Sequence, residues 1–193
     1  MKKLAAAICI ATLVALRSYG YGSAASEGEV LFNGNDLSGW TQQNDGTFAA
    51  TNGVIEVSGG KGWLRTDKEY SDFVLEVEWR GMETNYNSGI FVRTPLEGKP
   101  WPTNSWQINL KQTGVGELIQ GSKKILLSKH VPVPVGEWVT FRIEAHGKKL
   151  TLAINGEPAW EFNELEPAIG YIGIQAEGKM VEVRNFRVLT SGS

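Results

Sequence analysis

From residue 26 onward, hydrophobic positions recur at every second residue. Phe73, Leu75, Val77 and Trp79 alternate with Val74, Glu76, Glu78 and Arg80, and Leu150, Leu152 and Ile154 alternate with Thr151, Ala153 and Asn155. A strand turns successive side chains to opposite faces, so this spacing predicts half-buried strands. The same reading predicts strands over 30–32, 48–50, 54–57, 90–93, 106–111, 117–119, 139–146, 159–162, 170–175 and 181–189. No segment carries the three-to-four spacing of an amphipathic helix. Asn155-Gly156 falls between two such runs, where a tight hairpin turn needs residues that tolerate positive φ. Asn33-Gly34, Asn52-Gly53 and Gly59-Gly60 punctuate the chain in the same way, and Pro132-Val133-Pro134 marks an extended loop or edge. The expected architecture is all-β, an antiparallel jelly-roll β-sandwich of about a dozen strands.

The first 25 residues break this pattern. Lys2 and Lys3 precede an apolar run from Leu4 to Leu16, and small residues follow at Ser23-Ala24-Ala25. That order predicts a secretory signal peptide cut after Ala25, leaving residues 26–193 as a single secreted or periplasmic domain. The apolar run falls short of the roughly 20 residues that span a bilayer, so no stable membrane anchor is expected. Cleavage removes the one cysteine, Cys9, and three cations, which takes the formal charge from −2 to −5. An exported domain without disulfides must draw its stability from its core. Mild acidity, with basic residues spread along the chain, excludes a nucleic-acid partner, and two histidines without cysteines exclude a cysteine-rich zinc site.

Chemistry is then sought among side chains that alternate away from the core, because a sheet in such a sandwich often curves into a polar groove. In Trp106–Lys111 the residues Gln107, Asn109 and Lys111 face outward, and paired amides bind sugar hydroxyls with matched donors and acceptors. Asn87 opens a turn that runs into a strand ending at Arg93, whose guanidinium either holds a ligand oxygen or forms an ion pair with a carboxylate such as Glu78. Gln175 and Glu177 share one side of a strand, as do Glu76 and Glu78, and each pair is either solvated or a source of a general base. Trp79, Trp106 and Trp160 follow the core alternation. Trp63 and Trp101 fall in expected loops and could stack on a sugar ring. His130 and His146 have no partner at metal or triad spacing.

Several segments in order carry a family resemblance. Leu31-Phe32-Asn33-Gly34-Asn35-Asp36-Leu37-Ser38-Gly39-Trp40 is followed by Gly62-Trp63-Leu64 through Thr66-Asp67-Lys68-Glu69-Tyr70 and Asp72-Phe73. Asn87-Ser88-Gly89-Ile90 with Arg93 comes next, then Gly136-Glu137-Trp138, and finally Gly170–Gln175 running through Glu177-Gly178 to Arg184-Asn185. Together they resemble the 3-keto-disaccharide hydrolase domain family over residues 30–189. The resemblance implies a concanavalin-like jelly roll that processes 3-keto-glycosides outside the cytoplasm. Oxidation at C3 acidifies the C2 proton, so a base can remove it and the C1 substituent leaves by elimination before water adds.

Such a site needs a base near C2 and a donor or cation at the C3 oxygen. The implied roles are Glu177 as base with Glu78 second, Arg93 at the C3 oxygen, and Gln107, Asn109, Gln175, Asn87, Trp63 and Trp101 as substrate contacts. No cofactor is implied, though a divalent cation could share the role of Arg93. In many relatives a glutamate, followed two residues on by a glutamine, stands where this chain has Gln107 and Asn109. That departure keeps a second reading open, a carbohydrate-binding lectin-like module without turnover.

Overall fold

The computed structural model describes residues 28–128 and 133–189. The expected signal peptide and His130 lie outside the described residues. Thirteen strands and no helix are formed among them: β1 Gly28–Val30, β2 Trp40–Thr51, β3 Val54–Tyr70, β4 Phe73–Gly81, β5 Gly89–Thr94, β6 Trp106–Asn109, β7 Leu118–Gln120, β8 Lys123–Leu126, β9 Val139–His146, β10 Lys149–Ile154, β11 Glu157–Phe162, β12 Gly170–Glu177 and β13 Val181–Leu189. All pairings are antiparallel, in the order β11-β10-β9-β4-β13-β3-β12-β5-β6-β7-β8, with β1 added to β13 and β2 to β3. The expected jelly-roll sandwich is the fold observed.

Hydrogen bonding runs unbroken through both layers because β3 belongs to each. Ile55 and Val57 pair with Val183 and Val181 of β13 in the first layer, whereas Lys61 to Tyr70 pair with β12 in the second. The change of layer falls at Gly59 and Gly60, with φ of 147° and 83°, and a Cβ on Gly60 would come within 1.9 Å of the Asp45 carbonyl oxygen. Gly59-Gly60 is therefore a bend inside a long strand rather than the turn expected from sequence. Asn52-Gly53 and Asn155-Gly156 do form the predicted two-residue hairpins, with positive φ at all four residues.

Side chains from the two inner faces meet between the layers. Leu75, Val77, Trp79, Phe141, Ile143, Val183 and Phe186 come from the first layer, and Leu64, Ile90, Val92, Ile108, Leu118, Ile172 and Ile174 from the second. Each large apolar side chain so buried contributes about 1.5–3 kcal/mol. Trp79 sits edge-on to Phe141 and Tyr86, with centroids 5.5 and 5.8 Å away. Alternation then fixes the rest: residues between these core positions must face outward, on one layer or the other.

Candidate functional site

The outer face of the second layer is built in rows across four strands. Ile174 pairs with Ile90, which puts Gln175 of β12 beside Gly89 of β5. Gly89 pairs with Asn109 of β6, and the Asn109 backbone N–H donates to the Glu117 carbonyl at 2.9 Å. The next row runs from Gly173 through Phe91, Gln107 and Ile119 to Lys124 of β8.

The two glycines shape this face. A Cβ on Gly89 would lie 2.2 Å from the Gln107 Nε2, so the missing side chain is the gap through which Gln107 reaches across β5. There its Nε2 donates to the Gln175 Oε1 at 2.9 Å. The Ser88 Oγ donates to the Gln175 backbone carbonyl at 2.7 Å and anchors the strand beneath. With Oε1 occupied, the Gln175 Nε2 is left as a donor for a ligand. A Cβ on Gly173 would strike the Trp63 ring at 2.6 Å. The indole fills that space instead, edge-on to Phe91 at 5.6 Å, and is 1% exposed.

Above this floor lies a cavity of about 250 Å³ lined by Asn87, Trp101, Gln107, Asn109, Lys111, Ile119, Gly121, Ser122, Lys124, Gln175 and Glu177. Six of the residues singled out from sequence are thus brought together: Asn87, Trp101, Gln107, Asn109, Gln175 and Glu177. Trp101 reaches the cavity from the β5–β6 loop, which is tied down where the Asn44 Nδ2 donates to the Pro100 carbonyl at 2.8 Å. Glu177 is the one carboxylate among the lining residues, and it forms no ion pair among the described residues. Lys61 stands across from it in the β3–β12 ladder.

Three expected site residues are not there. Arg93 is 0% exposed and sits at the far end of β5, with φ of 42°. It donates to the Ser71 carbonyl at 2.6 Å, the Gly147 carbonyl at 2.5 Å and the Asp72 carboxylate at 2.9 Å. Burial lowers its pKa against the opposing pull of Asp72 and Glu166. All its donors serve to clamp the β3–β4 turn to the β9–β10 turn, so it has no reach to a sugar in the cavity. Its ion-pair partner is Asp72, not Glu78. Trp63 is not a loop residue but part of β3, and it forms the floor rather than an exposed stacking platform.

Glu78 lies on the outer face of the other layer. It accepts from the Arg184 Nε at 2.7 Å. Burial pushes its carboxyl up, but hydrogen bonds from Asn185 and Arg184 and the Arg184 charge outweigh this and hold it below the usual carboxylate range. A carboxylate so stabilised is a weak base. Its neighbour Glu76 is bound by Arg142 at 2.8 Å and Arg187 at 2.6 Å. His146 is an exposed residue whose Nδ1 lies 2.8 Å from the Asp72 Oδ2.

Sequence reasoning did not single out Lys124, Ser122 or Glu117. Lys111 was placed on the right face but given no role. Lys124 and Ser122 come from an edge strand and its turn with no hydrophobic alternation to announce them. Glu117 could have been found from the alternation of Leu118 with its neighbours, which puts Glu117 and Ile119 on the groove side. Among the described residues no group of three His, Cys, Asp or Glu side chains is placed to hold a metal ion. The cavity sets one carboxylate beside two ammonium groups and four side-chain amides.

The fold is a two-layered jelly roll of the lectin-like type, with a polar groove on one sheet walled by amides, a hydroxyl and an indole. The chain belongs to the 3-keto-alpha-glucoside-1,2-lyase-like domain family, whose model matches residues 27–189. Two similar solved structures are provisionally named glycosyl hydrolases from Parabacteroides distasonis ATCC 8503. Both are 20% identical to this chain; one covers 84% of it and 93% of its own chain with a TM-score of 0.68, the other 86% and 100% with 0.69. Carbohydrate-binding module CBM66 from Bacillus subtilis is 17% identical, covering 79% of this chain and 96% of its own with a TM-score of 0.69. At these identities the likeness is one of fold. No curated protein matches the sequence.

Proposed function

We propose that the domain cleaves 3-keto-glycosides in the second-layer groove, outside the cytoplasm once residues 1–25 are removed. The observation that carries this reading is the convergence of Gln107, Asn109, Gln175, Asn87 and Trp101 on one cavity whose single lining carboxylate, Glu177, has no cationic partner among the described residues. At about 250 Å³ the cavity is below the roughly 300–1,000 Å³ of drug-sized pockets, which suits one sugar ring.

Glu177 takes the C2 proton, and the C–H electron pair delocalises onto the C3 oxygen as an enolate. Collapse of the enolate forms the C1–C2 double bond and breaks the C1–O bond, and the aglycone leaves with the proton that Glu177 took from C2, which returns Glu177 to its ionised form. Water then adds hydroxyl at C1 and hydrogen at C2, so the net change is hydrolysis. The family description, a 1,2-lyase acting on a 3-keto-alpha-glucoside, supports the elimination step. With Arg93 engaged elsewhere, positive charge for the enolate oxygen comes from the lysines that line the cavity, Lys111 and Lys124.

A second reading is favoured by one feature. The groove's central side chain, Gln107, is an amide, and an amide orients a sugar without moving a proton, as a binding module of the CBM66 fold would require. Purified residues 26–193 given a 3-keto-glucoside with a chromogenic aglycone, beside the unoxidised glucoside, separate the two. Release from the keto substrate alone supports cleavage. Absence of release from pH 5 to 9, with calorimetric binding of unmodified oligosaccharide, selects the binding module.

A further inference from the structure

Beneath the groove wall lies a carboxylate that the proposed reaction does not use. The Glu117 side chain is 9% exposed and its Oε1 accepts from the Lys124 Nζ at 2.8 Å. Its Oε2 faces the Asn109 Nδ2 at 3.4 Å. The niche is made for it: a Cβ on Gly114 would lie 2.4 Å from Oε2, so only glycine there leaves the carboxylate room. The turn that carries it is closed by Gly114 N–H to Lys111 carbonyl at 2.8 Å and Gly116 N–H to Asn109 carbonyl at 2.8 Å. Burying a carboxylate costs free energy unless it is paired, and here both oxygens meet donors that belong to the groove.

We propose that Glu117 is a positioning residue: it anchors the Lys124 ammonium at the cavity wall and turns the Asn109 amide so that its oxygen faces the ligand. The inference rests on the reading of the groove as a 3-keto-glycoside site. Lys124 lies in the row of Gln107 and Ile119, so the anchored cation stands in line with the amide that meets Gln175. Lys111, which lines the same cavity, has no acidic partner among the described residues and must be immobilised when it meets a ligand. Of the two lysines, Lys124 is the preorganised one, and a charge fixed before the reaction is the kind that stabilises a developing enolate. Asn109 then offers an acceptor and Gln175 a donor on either side of Gly89, a fixed polarity that a sugar hydroxyl pair can match.

The test is a double-substitution cycle of Glu117→Gln and Lys124→Gln, read as kcat and KM on the chromogenic 3-keto-glucoside. Lys124 is 58% exposed in its side chain, so its substitution opens no cavity, and the double variant removes the Glu117 charge that Lys124→Gln alone leaves short of a partner. Each single change is expected to lower kcat at least tenfold with KM changed less than about threefold, and the double variant to be no worse than Lys124→Gln alone. Lys124→Arg is expected to recover most of the loss. Additive losses, or an unchanged kcat in Lys124→Gln, overturn the proposal. If the unsubstituted domain binds the 3-keto-glucoside without releasing aglycone, cleavage fails while the same cycle in Kd still decides the positioning role. If it neither binds nor cleaves, both fall.

Discussion

The two outer faces of this sandwich obey one alternation rule and end in opposite states. On the first layer, Glu76, Glu78, Arg80, Arg142, Arg184 and Arg187 all face outward and consume one another. Arg142 bridges Glu76 and Glu144, Arg80 binds Glu182 at 2.6 Å, and Trp138 is covered by Arg184 at 3.8 Å and Arg80 at 4.5 Å from its ring centre. On the second layer the outward positions hold amides, the Glu177 carboxylate, the Lys124–Glu117 pair and two glycines. Neutral amides satisfy one another with part of their capacity and keep the rest for a ligand, and the glycines at 89 and 173 open the space. A saturated polar face is a solvated surface, whereas an unsaturated one with a cavity is a site.

This contrast can be broken at several points. The largest effect is expected from the carboxylates: Glu177→Gln should lower kcat on the 3-keto-glucoside by about 10²–10⁴-fold, while Glu78→Gln should leave it within about twofold. Loss of activity in Glu78→Gln with Glu177→Gln unaffected would exchange the roles of the two faces. Next is Arg93→Met, which leaves two carbonyls and Asp72 without their buried donor. Urea unfolding should show a loss of about 3 kcal/mol, with sugar affinity unchanged. An undiminished stability with lost activity would return Arg93 to the chemistry.

Gly89→Ala acts between those extremes. Its Cβ would meet the Gln107 side chain from Cγ outward but no backbone atom closer, so the Gln107 side chain must swing away and the Gln107–Gln175 hydrogen bond must break. Calorimetry should show sugar affinity weakened about tenfold, or ~1.4 kcal/mol. The smallest effect concerns acid stability. For both Glu76 and Glu78, burial pushes the carboxyl up, but it is outweighed and the carboxyl held below the usual value near 4.5, for Glu76 by hydrogen bonds and charge from Arg187 and Arg142, for Glu78 by hydrogen bonds from Asn185 and Arg184 and by the charges of Arg184 and Arg187. Groups lowered on folding contribute stability above their unfolded pKa and lose it as pH falls through the folded one. Unfolding followed from pH 6 to pH 2 should therefore show less acid loss in the Glu76→Gln/Glu78→Gln double variant, by about 1 kcal/mol or less.

Much of the fold was legible because alternation is a local signal. β4, β9 and β10 each carry core residues at every second place, β13 does so on either side of its bulge between Arg184 and Arg187, and Asn-Gly pairs mark the β2–β3 and β10–β11 hairpins. The long β2 and the second half of β3 were not legible, since Thr41, Gln42, Gln43 and Asn44 give no hydrophobic period and Gly59-Gly60 reads as a stop. In the site, alternation placed Gln107, Asn109, Gln175 and Glu177 on an outward face, and the pairing of β12 with β5 and of β5 with β6 brought them together. Alternation cannot say which layer a strand joins. That is why Glu78, equally outward, lies on the opposite surface. Nor can it foresee that Arg93, beside a bulge in the β5–β12 pairing, turns away from the groove toward two turns distant in sequence.

Side-chain amide and indole resonances report the two faces separately, and their titration with a 3-keto-glucoside by NMR tests the placement of the sugar most directly. The predicted result is movement of the Asn87, Gln107, Asn109 and Gln175 amide signals and the Trp101 indole, with Trp138 and the Nε signals of Arg184 and Arg187 still. Movement confined to Trp138 and those arginines would put the sugar on the ion-paired layer and contradict the assignment of the groove.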